Sequence, residues 1–305
     1  MLKVCFIVLH YKAEDYTKQC VDSIIKINDM SQCNILIYDN GSNNGSFEKL
    51  EEYYHNNSMV ETVKSIDNLG FTGGINAAYK IAKRWNPMFI VALNNDTEIW
   101  QKDFVSRLEN LYSKEHPYIV GVDVFNPKIK IHQSPLYDHI LSLDEAQEII
   151  AHCQDEIDHI DETCQMILKV NRNQRMKKFL PYWLLNIKRF IRKDDITLYQ
   201  KEKIENAVIN GSCIIATKDF IENESVLLEP DTKFYGEEAH LALKCKTLGY
   251  KEIYSNNLQI IHWGGAATEM DATSLKNKLL NERKRTMHAF EIYVNTIKNN
   301  PWEKR

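Results

Sequence analysis

The acidic residues that could bind a metal ion follow an apolar segment of the sequence. Asp96 and Glu98 stand in the run NNDTE at 94–98, directly after the apolar residues 88–93. A carboxylate at a strand end, with a second one two residues on, can hold a divalent cation that also needs phosphate oxygens. An acidic turn without a metal is the alternative, because such turns are common after strands.

Two other places combine groups suited to proton transfer or metal binding. Glu237 and Glu238 are adjacent carboxylates at a predicted helix start, where the positive end of the helix favours anions. His262 follows a predicted strand and lies close to the flexible pair Gly264-Gly265. The alternatives are a helix-capping role for the acids and a structural role for the histidine.

The first 130 residues alternate apolar runs with helical patterns, which predicts how these groups are positioned. We predict strands at 4–9, 34–38, 60–65 and 88–93, helices at 16–27, 47–56 and 75–85, and a loop over 68–74. Strands that are apolar throughout favour a parallel sheet covered by helices on both faces. Ligands of such sheets bind beyond the carboxyl ends of the strands. The polar residues at those ends are His10, Asp39, Asn40 and 94–98.

The same alternation returns beyond residue 204. We predict a strand at 213–216, a helix from 237 to 248, short strands at 253–254 and 259–262 around a turn at 256–257, and a long basic helix over 272–299. Gly249 directly follows the first of these helices, and glycine is a common residue at a helix end.

Opposite charges are separated in the segment between these two parts. Residues 144–162 contain eight acids and no base, whereas residues 169–193 contain nine bases and no acid. One interpretation is a pair of helices whose charges face each other. The other relies on the aromatic and aliphatic side chains among the bases, because such a mixture suits an anionic lipid surface or a phosphorylated carrier.

Composition excludes several classes of protein. A hydrophobic share of 44% with 26% charged residues is typical of a folded globular chain, and a net charge of −4 does not suit a general nucleic-acid binder. The seven cysteines contain no C-x-x-C pair, which argues against a disulfide scaffold or a cysteine zinc site and favours a reducing cytoplasm. No apolar stretch reaches the ~18 residues of a membrane span. We therefore expect a soluble cytoplasmic protein, at most peripheral at the inner face of the plasma membrane.

Several motifs, taken together and in order, resemble those of the family 2 glycosyltransferases. They are DNGS at 39–42, NLGFTGGIN at 68–76, LNNDTE at 93–98, NGS at 210–212, FYGEE at 234–238 and HWGG at 262–265. The resemblance covers about residues 3–130 and 205–270. It implies an inverting enzyme with the GT-A fold, a Rossmann-like α/β architecture whose mostly parallel sheet binds a nucleotide-diphosphate sugar.

The resemblance also implies a division of the chain. Residues 1–130 would form the nucleotide-sugar-binding half of the GT-A domain, and residues 205–270 its acceptor and catalytic half. Residues 131–204 would be a charged helical insertion, and residues 271–305 a C-terminal helix.

Roles for individual residues follow from the same resemblance. The expected donor-binding residues are His10, Tyr11, Asp39, Asn68, Gly73, Asn76, Asn94, Asn95 and Asp96. The expected acceptor-binding residues are Gly211, Tyr235 and Trp263. Within the donor set, Asp39 would accept a hydrogen bond from the N–H of a pyrimidine ring.

The metal-binding and catalytic residues are implied in the same way. Asp96 and His262 would bind Mn²⁺ or Mg²⁺, and Asn94 stands where the usual motif has its first acid. Glu237 and Glu238 form the catalytic pair, in which the second residue would be the general base. The family usually has Asp at the position of Glu238.

The function implied is transfer of one sugar, such as rhamnose, galactose or glucose, from a UDP- or dTDP-sugar. The acceptor would be a glycan or a lipid-linked oligosaccharide in cell-surface polysaccharide biosynthesis. One alternative is a catalytically inactive relative that binds sugar nucleotides. Another is a sugar nucleotidyltransferase, which normally carries a glycine-rich basic loop after its first strand, whereas residues 9–14 here contain no glycine.

Overall fold

Four parallel strands form the first half of the sheet. The computed structural model describes residues 3–28, 30–165, 195–229, 234–264 and 275–302. Strands β1 (Val4–His10), β2 (Cys33–Asp39), β3 (Val60–Lys64) and β4 (Phe89–Asn94) lie in the order β3-β2-β1-β4 and run in one direction. β1, β2 and β4 are buried on both faces, as their unbroken apolar sequences predict.

The second half of the sheet is mixed. Its strands are β5 (Thr97–Glu98), β6 (Ile119–Asn126), β7 (Ile131–His132), β8 (Lys203–Glu205), β9 (Cys213–Thr217) and β10 (Glu252–His262). β9 lies antiparallel between β4 and β6, and β10 lies parallel to β6 and antiparallel to β5. The predicted α/β fold with a mostly parallel sheet is therefore confirmed.

Helices cover both faces of the sheet. They are α1 (Glu14–Ile25), α2 (Ser46–Tyr54), α3 (Gly70–Lys83), α4 (Phe104–Glu115), α5 (Leu143–Asp158), α6 (Lys218–Asn223), α7 (Glu237–Leu248) and α8 (Leu275–Asn299). α1, α2 and α4 pack on one face, whereas α3, α6 and α7 pack on the other. α1 buries positions 17, 20, 21 and 24, which is the spacing of a single helix face.

The glycine-rich segment is helical, and the loop predicted over 68–74 is wrong. α3 begins at Gly70 rather than at Ile75. The φ angle of Gly70 is +75°, and its N–H donates to Asn68 Oδ1 at 2.9 Å. An asparagine side chain and a glycine backbone thus start the helix in a sequence that resembles a turn.

The turn predicted at 256–257 is wrong, because these residues lie within a strand. Residues 252–262 form the single strand β10 instead of two short strands. The pairing of β10 with β6 shifts register between Ser255 and Gln259, as at a β-bulge, so the chain continues along the sheet. β10 thereby carries His262 to the edge where β1, β2 and β4 end.

The acidic helix α5 packs against the basic helix α8. α5 begins with a capping box, in which Ser142 Oγ accepts the N–H of Glu145 and the Glu145 carboxylate accepts the N–H of Ser142. Farther along, the buried Glu156 forms an ion pair with Arg283 of α8. The basic segment 169–193, predicted as a helical partner or a lipid-binding patch, lies outside the described residues.

The described helices include none that is both long and apolar enough to cross a membrane. All seven cysteines are buried free thiols.

Candidate active site

The ends of β1, β2 and β4 meet at one edge of the sheet, as predicted. His10 pairs with Asp39 across β1 and β2, and Leu9 pairs with Asn94 across β1 and β4. The parallel register therefore brings the polar residues after each strand close together.

His10 is completely buried at this edge. Its Nδ1 lies 2.7 Å from Thr17 Oγ1 of α1, and its Nε2 lies 2.8 Å from Ser46 Oγ of α2. Burial lowers the pKa of His10 from 6.5 to about 4, so the ring is neutral near pH 7. His10 thus joins the starts of two helices from inside the protein, and its predicted contact with the donor stays a prediction.

We expect acid to destabilise the protein through His10. A histidine whose pKa is lower in the folded state stabilises the fold above its unfolded-state pKa, and this contribution is lost as the pH falls from 6.5 towards about 4. The free energy of unfolding should drop by roughly 3 kcal/mol, since each pKa unit is worth about 1.4 kcal/mol. Urea unfolding at about pH 7 and about pH 4 measures the change. An identical pH dependence in His10→Gln would contradict this assignment.

Asp39 lies in a turn that its own carboxylate stabilises. Both carboxylate oxygens accept the N–H of Ser42, at 3.2 and 3.0 Å, and burial raises the pKa of Asp39. Ser42 Oγ in turn accepts the N–H of Lys12 at 2.8 Å, and Lys12 Nζ lies 4.7 Å from the centre of the Tyr11 ring. Tyr11 and Asp39, both predicted to bind the donor, are therefore connected through Ser42.

Neighbouring side chains leave little room for a Cβ at two glycines near the start of α3. Asn40 accepts the N–H of Leu69 at 3.0 Å and donates to the carbonyl of Gly70 at 2.9 Å. A Cβ on Gly73 would lie 2.9 Å from Leu69 Cβ, and a Cβ on Gly74 would lie 3.1 Å from Asn40 Cγ. The Gly73 contact is with the residue just before α3, whereas the Gly74 contact reflects the close approach of α3 to the end of β2.

Two of the predicted donor-binding residues use their amides inside the protein. Asn76 is buried, accepts the N–H groups of Leu227 and Leu228 at 3.0 and 2.9 Å, and donates to the Leu228 carbonyl at 3.0 Å. Asn95 is also buried and donates to Thr17 Oγ1 at 3.0 Å. Their geometry is that of residues that hold neighbouring segments in place.

Asp96 and His262 lie side by side. His262 pairs with Thr97 across β5 and β10, and the N–H of Trp263 donates to the Asp96 carbonyl at 2.9 Å. This places His262 Nε2 3.3 Å from Asp96 Oδ1. Two neighbouring ligands of one octahedral ion, with bonds of about 2.1 Å, lie ~3 Å apart. The observed spacing therefore fits a shared Mn²⁺ or Mg²⁺.

The chemistry of this pair fits an ion that arrives with phosphate. Within the described ranges, no group of three or more His, Cys, Asp or Glu residues could hold a metal ion. One carboxylate and one imidazole leave most coordination positions to phosphate oxygens and water, which is how Mg²⁺ is commonly bound at phosphate sites.

Glu98 does not join Asp96, although its spacing suggested a second acidic ligand. Its carboxylate accepts hydrogen bonds from Gln19 Nε2 of α1 and from Trp263 Nε1, the latter at 2.8 Å. Asp96 lies in the turn before β5, whereas Glu98 lies in the strand, so their side chains take different partners. Glu98 instead fixes the indole of Trp263, a predicted acceptor-binding residue.

Glu238 contacts the backbone of the loop before β9. The N–H of Gly211 donates to Glu238 Oε1 at 3.1 Å, and a Cβ on Gly211 would lie 2.7 Å from that oxygen. Burial raises the pKa of Glu238, while hydrogen bonds from backbone N–H groups oppose this effect. Glu238 itself is half-buried, whereas the preceding Glu237 is buried, and Glu237 Oε2 has no hydrogen-bond partner within the described residues. Burial and the neighbouring Glu238 raise the pKa of Glu237 well above its ordinary value.

Two left-handed residues set the direction of this acidic pair. Tyr235 and Gly236 have φ angles of +68° and +75° and come directly before α7. α8 packs on this turn: the Arg285 guanidinium lies 4.6 Å from the centre of the Phe234 ring, and a Cβ on Gly236 would lie 3.2 Å from Ala289 Cβ. The left-handed conformation of a tyrosine costs of order 1 kcal/mol, and these contacts help to stabilise it.

A short chain of hydrogen bonds connects the Asp96–His262 pair with the loop that contacts Glu238. Gln133 Oε1 lies 2.8 Å from His262 Nδ1, and the carbonyl of Gln133 accepts from Asn210 Nδ2 at 3.1 Å. Asn210 directly precedes Gly211. Sequence analysis missed Gln133, because it lies outside every motif and its contact with His262 spans 129 positions of the chain.

Comparison of the sequence with protein-family profiles identifies the family of this chain. The sequence profile described as Glycosyl transferase family 2 matches residues 5–206, more than half of the chain. The chain belongs to glycosyl transferase family 2. The curated proteins include no match to this family 2 glycosyltransferase.

Three solved structures with a similar fold align with most of this chain. TarS 1–349 of S. aureus in complex with UDP is 12% identical, with a TM-score of 0.52 over 92% of this chain and 70% of that one. GalNAc-T7 with UDP, GalNAc and Mn²⁺ is 15% identical, with a TM-score of 0.54 over 86% of this chain and 44% of that one. The mannosyltransferase PcManGT from Pyrobaculum calidifontis, with GDP-Man and Mn²⁺, is 11% identical, with a TM-score of 0.53 over 97% of this chain and 73% of that one. At such identities the likeness establishes the fold, and the predicted GT-A type is confirmed.

Proposed function

We propose that this family 2 glycosyltransferase transfers one sugar, with inversion, from a nucleotide-diphosphate donor to a hydroxyl group of a glycan or lipid-linked acceptor. Rhamnose, galactose and glucose carried by UDP or dTDP are the proposed donors, and assembly of a cell-surface polysaccharide is the proposed setting. The observation that carries the proposal is the hydrogen-bonded connection between the Asp96–His262 pair and the loop that contacts Glu238.

The donor half of the proposed site is built on residues 1–130. Asp39, beside Tyr11, would accept the ring N–H of the base, and Asp96 with His262 would hold the divalent ion. That ion, when bound, supplies positive charge to the leaving diphosphate. Asn94, in place of an acid, would contact the ribose or a water molecule.

The acceptor half is built on residues 205–270, where Glu238 would act as general base. The acceptor oxygen would form a bond to the anomeric carbon as the bond from that carbon to the diphosphate breaks, and Glu238 would take the hydroxyl proton. Attack from the face opposite the leaving group inverts the configuration, so no covalent nucleophile is needed. Gly211, Tyr235 and Trp263 surround this position in the proposal.

A donor screen tests the proposed function. UDP-, dTDP- and GDP-sugars are incubated with the protein and either Mn²⁺ or Mg²⁺, and release of the nucleoside diphosphate is measured with and without acceptor. GDP-sugars are included because PcManGT is seen with GDP-Man. Release from one donor class supports the proposal. Donor binding without any release supports the inactive relative instead.

We also propose that the basic segment 169–193 contacts an anionic membrane or a lipid-linked acceptor, on the basis of its sequence. Each base near an anionic surface contributes about 1 kcal/mol. Replacement of five bases by Gln should therefore release the protein from anionic vesicles in a flotation assay, while donor hydrolysis stays near normal. The five are Lys177, Lys178, Arg189, Arg192 and Lys193.

A charge-matched control separates this contact from a general effect of net charge. Five exposed lysines on the described helices and their ends are replaced by Gln in the control: Lys26, Lys80, Lys114, Lys284 and Lys298. Vesicle binding that falls equally in both variants, or in neither, would exclude a specific role for residues 169–193.

A further inference from the structure

Gln133 contacts the ring of His262 from the side away from Asp96. Gln133 follows β7, is only 5% exposed, and its Oε1 lies 2.8 Å from His262 Nδ1. The other ring nitrogen, Nε2, lies 3.3 Å from Asp96 Oδ1. His262 is therefore held between an amide on one side and a carboxylate on the other.

The amide determines which ring nitrogen carries the proton. An amide oxygen can only accept a hydrogen bond, so the contact of Gln133 Oε1 with His262 Nδ1 is a hydrogen bond in the tautomer whose Nδ1 carries the proton. In the neutral ring, Nε2 then has a free lone pair, and this lone pair faces the Asp96 carboxylate. Two electron-rich atoms in this position suit a cation between them.

We propose that Gln133 is a positioning residue that fixes His262 in the tautomer and orientation that bind a divalent cation beside Asp96. This inference rests on the proposed function, because the cation belongs to it. Replacement of the residue that accepts a hydrogen bond from a metal-bound histidine typically lowers metal affinity by about 10–100-fold. We expect an effect of that size here.

The backbone of Gln133 makes it a rigid support. Its N–H donates to the carbonyl of Val124 in β6 at 2.7 Å, and its carbonyl accepts from Asn210 Nδ2 at 3.1 Å. The residue is thereby fixed to the sheet on one side and, through Asn210, to the loop that contacts Glu238.

Replacement of Gln133 tests the proposal by Mn²⁺ binding rather than by activity. Titration calorimetry with Mn²⁺, with and without UDP, is carried out on the full chain. Gln133→Leu fills a similar volume but leaves Nδ1 without an acceptor, so its Mn²⁺ affinity should fall by about 10–100-fold. Gln133→Glu restores an acceptor and should bind Mn²⁺ within a few-fold of the wild type.

Gln101 provides a matched control. It is a second buried glutamine, 7% exposed, whose side chain bonds, among the described residues, to the backbone alone: it donates to the Asn257 carbonyl (3.2 Å) and accepts the Gln259 N–H (2.8 Å). Gln101→Leu should lower stability and leave the Mn²⁺ affinity of the folded protein unchanged. Equal weakening in both variants would mean that any disturbed buried glutamine has this effect, and would overturn the positioning role.

The outcomes separate the inference from the function on which it rests. A wild type that binds no Mn²⁺, with or without UDP, overturns the metal role itself. If the wild type binds Mn²⁺ and Gln133→Leu binds it equally tightly, only the role of Gln133 is overturned. If Gln133→Leu does not fold, nitrogen NMR of the neutral His262 ring in the metal-free wild type decides the matter: a proton on Nε2 rather than Nδ1 overturns the proposal.

Discussion

The Glu238→Gln enzyme is expected to transfer sugar about 10²–10⁴ times more slowly than the wild type, which is the usual contribution of a general base. Glutamine keeps the shape of the side chain and can still accept the Gly211 N–H, which lies 3.1 Å from Glu238 Oε1. It cannot take the acceptor proton. Donor affinity should stay near normal, because the proposed donor contacts lie on the Asp96–His262 side. Steady-state kcat and the Kd of the nucleotide sugar measure the two effects separately.

Glu237→Gln is the matched control. Burial and the neighbouring carboxylate raise the pKa of Glu237 well above its ordinary value, and glutamine keeps the shape of its side chain. We expect its kcat to stay within about tenfold of wild type, since an ordinary hydrogen bond contributes roughly 1 kcal/mol. A slow Glu237→Gln enzyme beside a normal Glu238→Gln enzyme would reverse the assignment. Glu238→Asp, which introduces the residue usual in the family, should keep more activity than Glu238→Gln.

The pH dependence of the wild type gives an independent check on Glu238. A base acts only when it has lost its proton, and burial raises the pKa of Glu238 above the ordinary 4.5. Activity should therefore be present above the raised pKa and should fall with acid at a pH higher than 4.5. This acid limb should be absent from the residual activity of Glu238→Gln.

Features that depend on strand order and strand ends could be predicted from the sequence. The apolar runs of β1, β2 and β4 each stop at a polar residue, and parallel pairing then requires those residues to meet at one edge. The motif order placed Asp96 and His262 in one site although 166 positions separate them, and the structure brings them to 3.3 Å. In these cases local pattern and global fold agree.

Contacts set by exact backbone geometry could not be predicted in this way. Gln133 meets His262 because β7 pairs antiparallel with β6 after a short turn, and a two-residue strand has no hydrophobic period to detect. The left-handed backbone of Tyr235 and Gly236, directly before α7, could not be predicted either, because no composition rule reveals it for a tyrosine. Glu98 illustrates the same limit, since its spacing from Asp96 does not reveal that its carboxylate bonds to Gln19 and Trp263.

Asp96→Asn is expected to lower the transfer rate by at least ~10³-fold, because loss of several kcal/mol of charge stabilisation corresponds to that factor. Asparagine has the same shape as aspartate but lacks its negative charge, so the site with His262 would lose its only acidic member among the described residues. Mn²⁺ binding and UDP binding should weaken together, since the ion is proposed to link the protein to the diphosphate. EDTA should reproduce the kinetic effect on the wild type.

Glu98→Gln is the control that separates the metal site from the structure around it. Glu98 lies two positions from Asp96 and bonds to Gln19 and Trp263, so its replacement removes an acid of the same motif without removing a ligand. We expect Glu98→Gln to retain Mn²⁺ binding, with a change confined to the mobility of the Trp263 indole, measurable by its fluorescence. Loss of Mn²⁺ binding in Glu98→Gln but not in Asp96→Asn would mean that Glu98, and not Asp96, binds the metal. Unchanged turnover of the wild type in EDTA would remove the metal from the mechanism and leave Asp96 as the hydrogen-bond partner that orients His262.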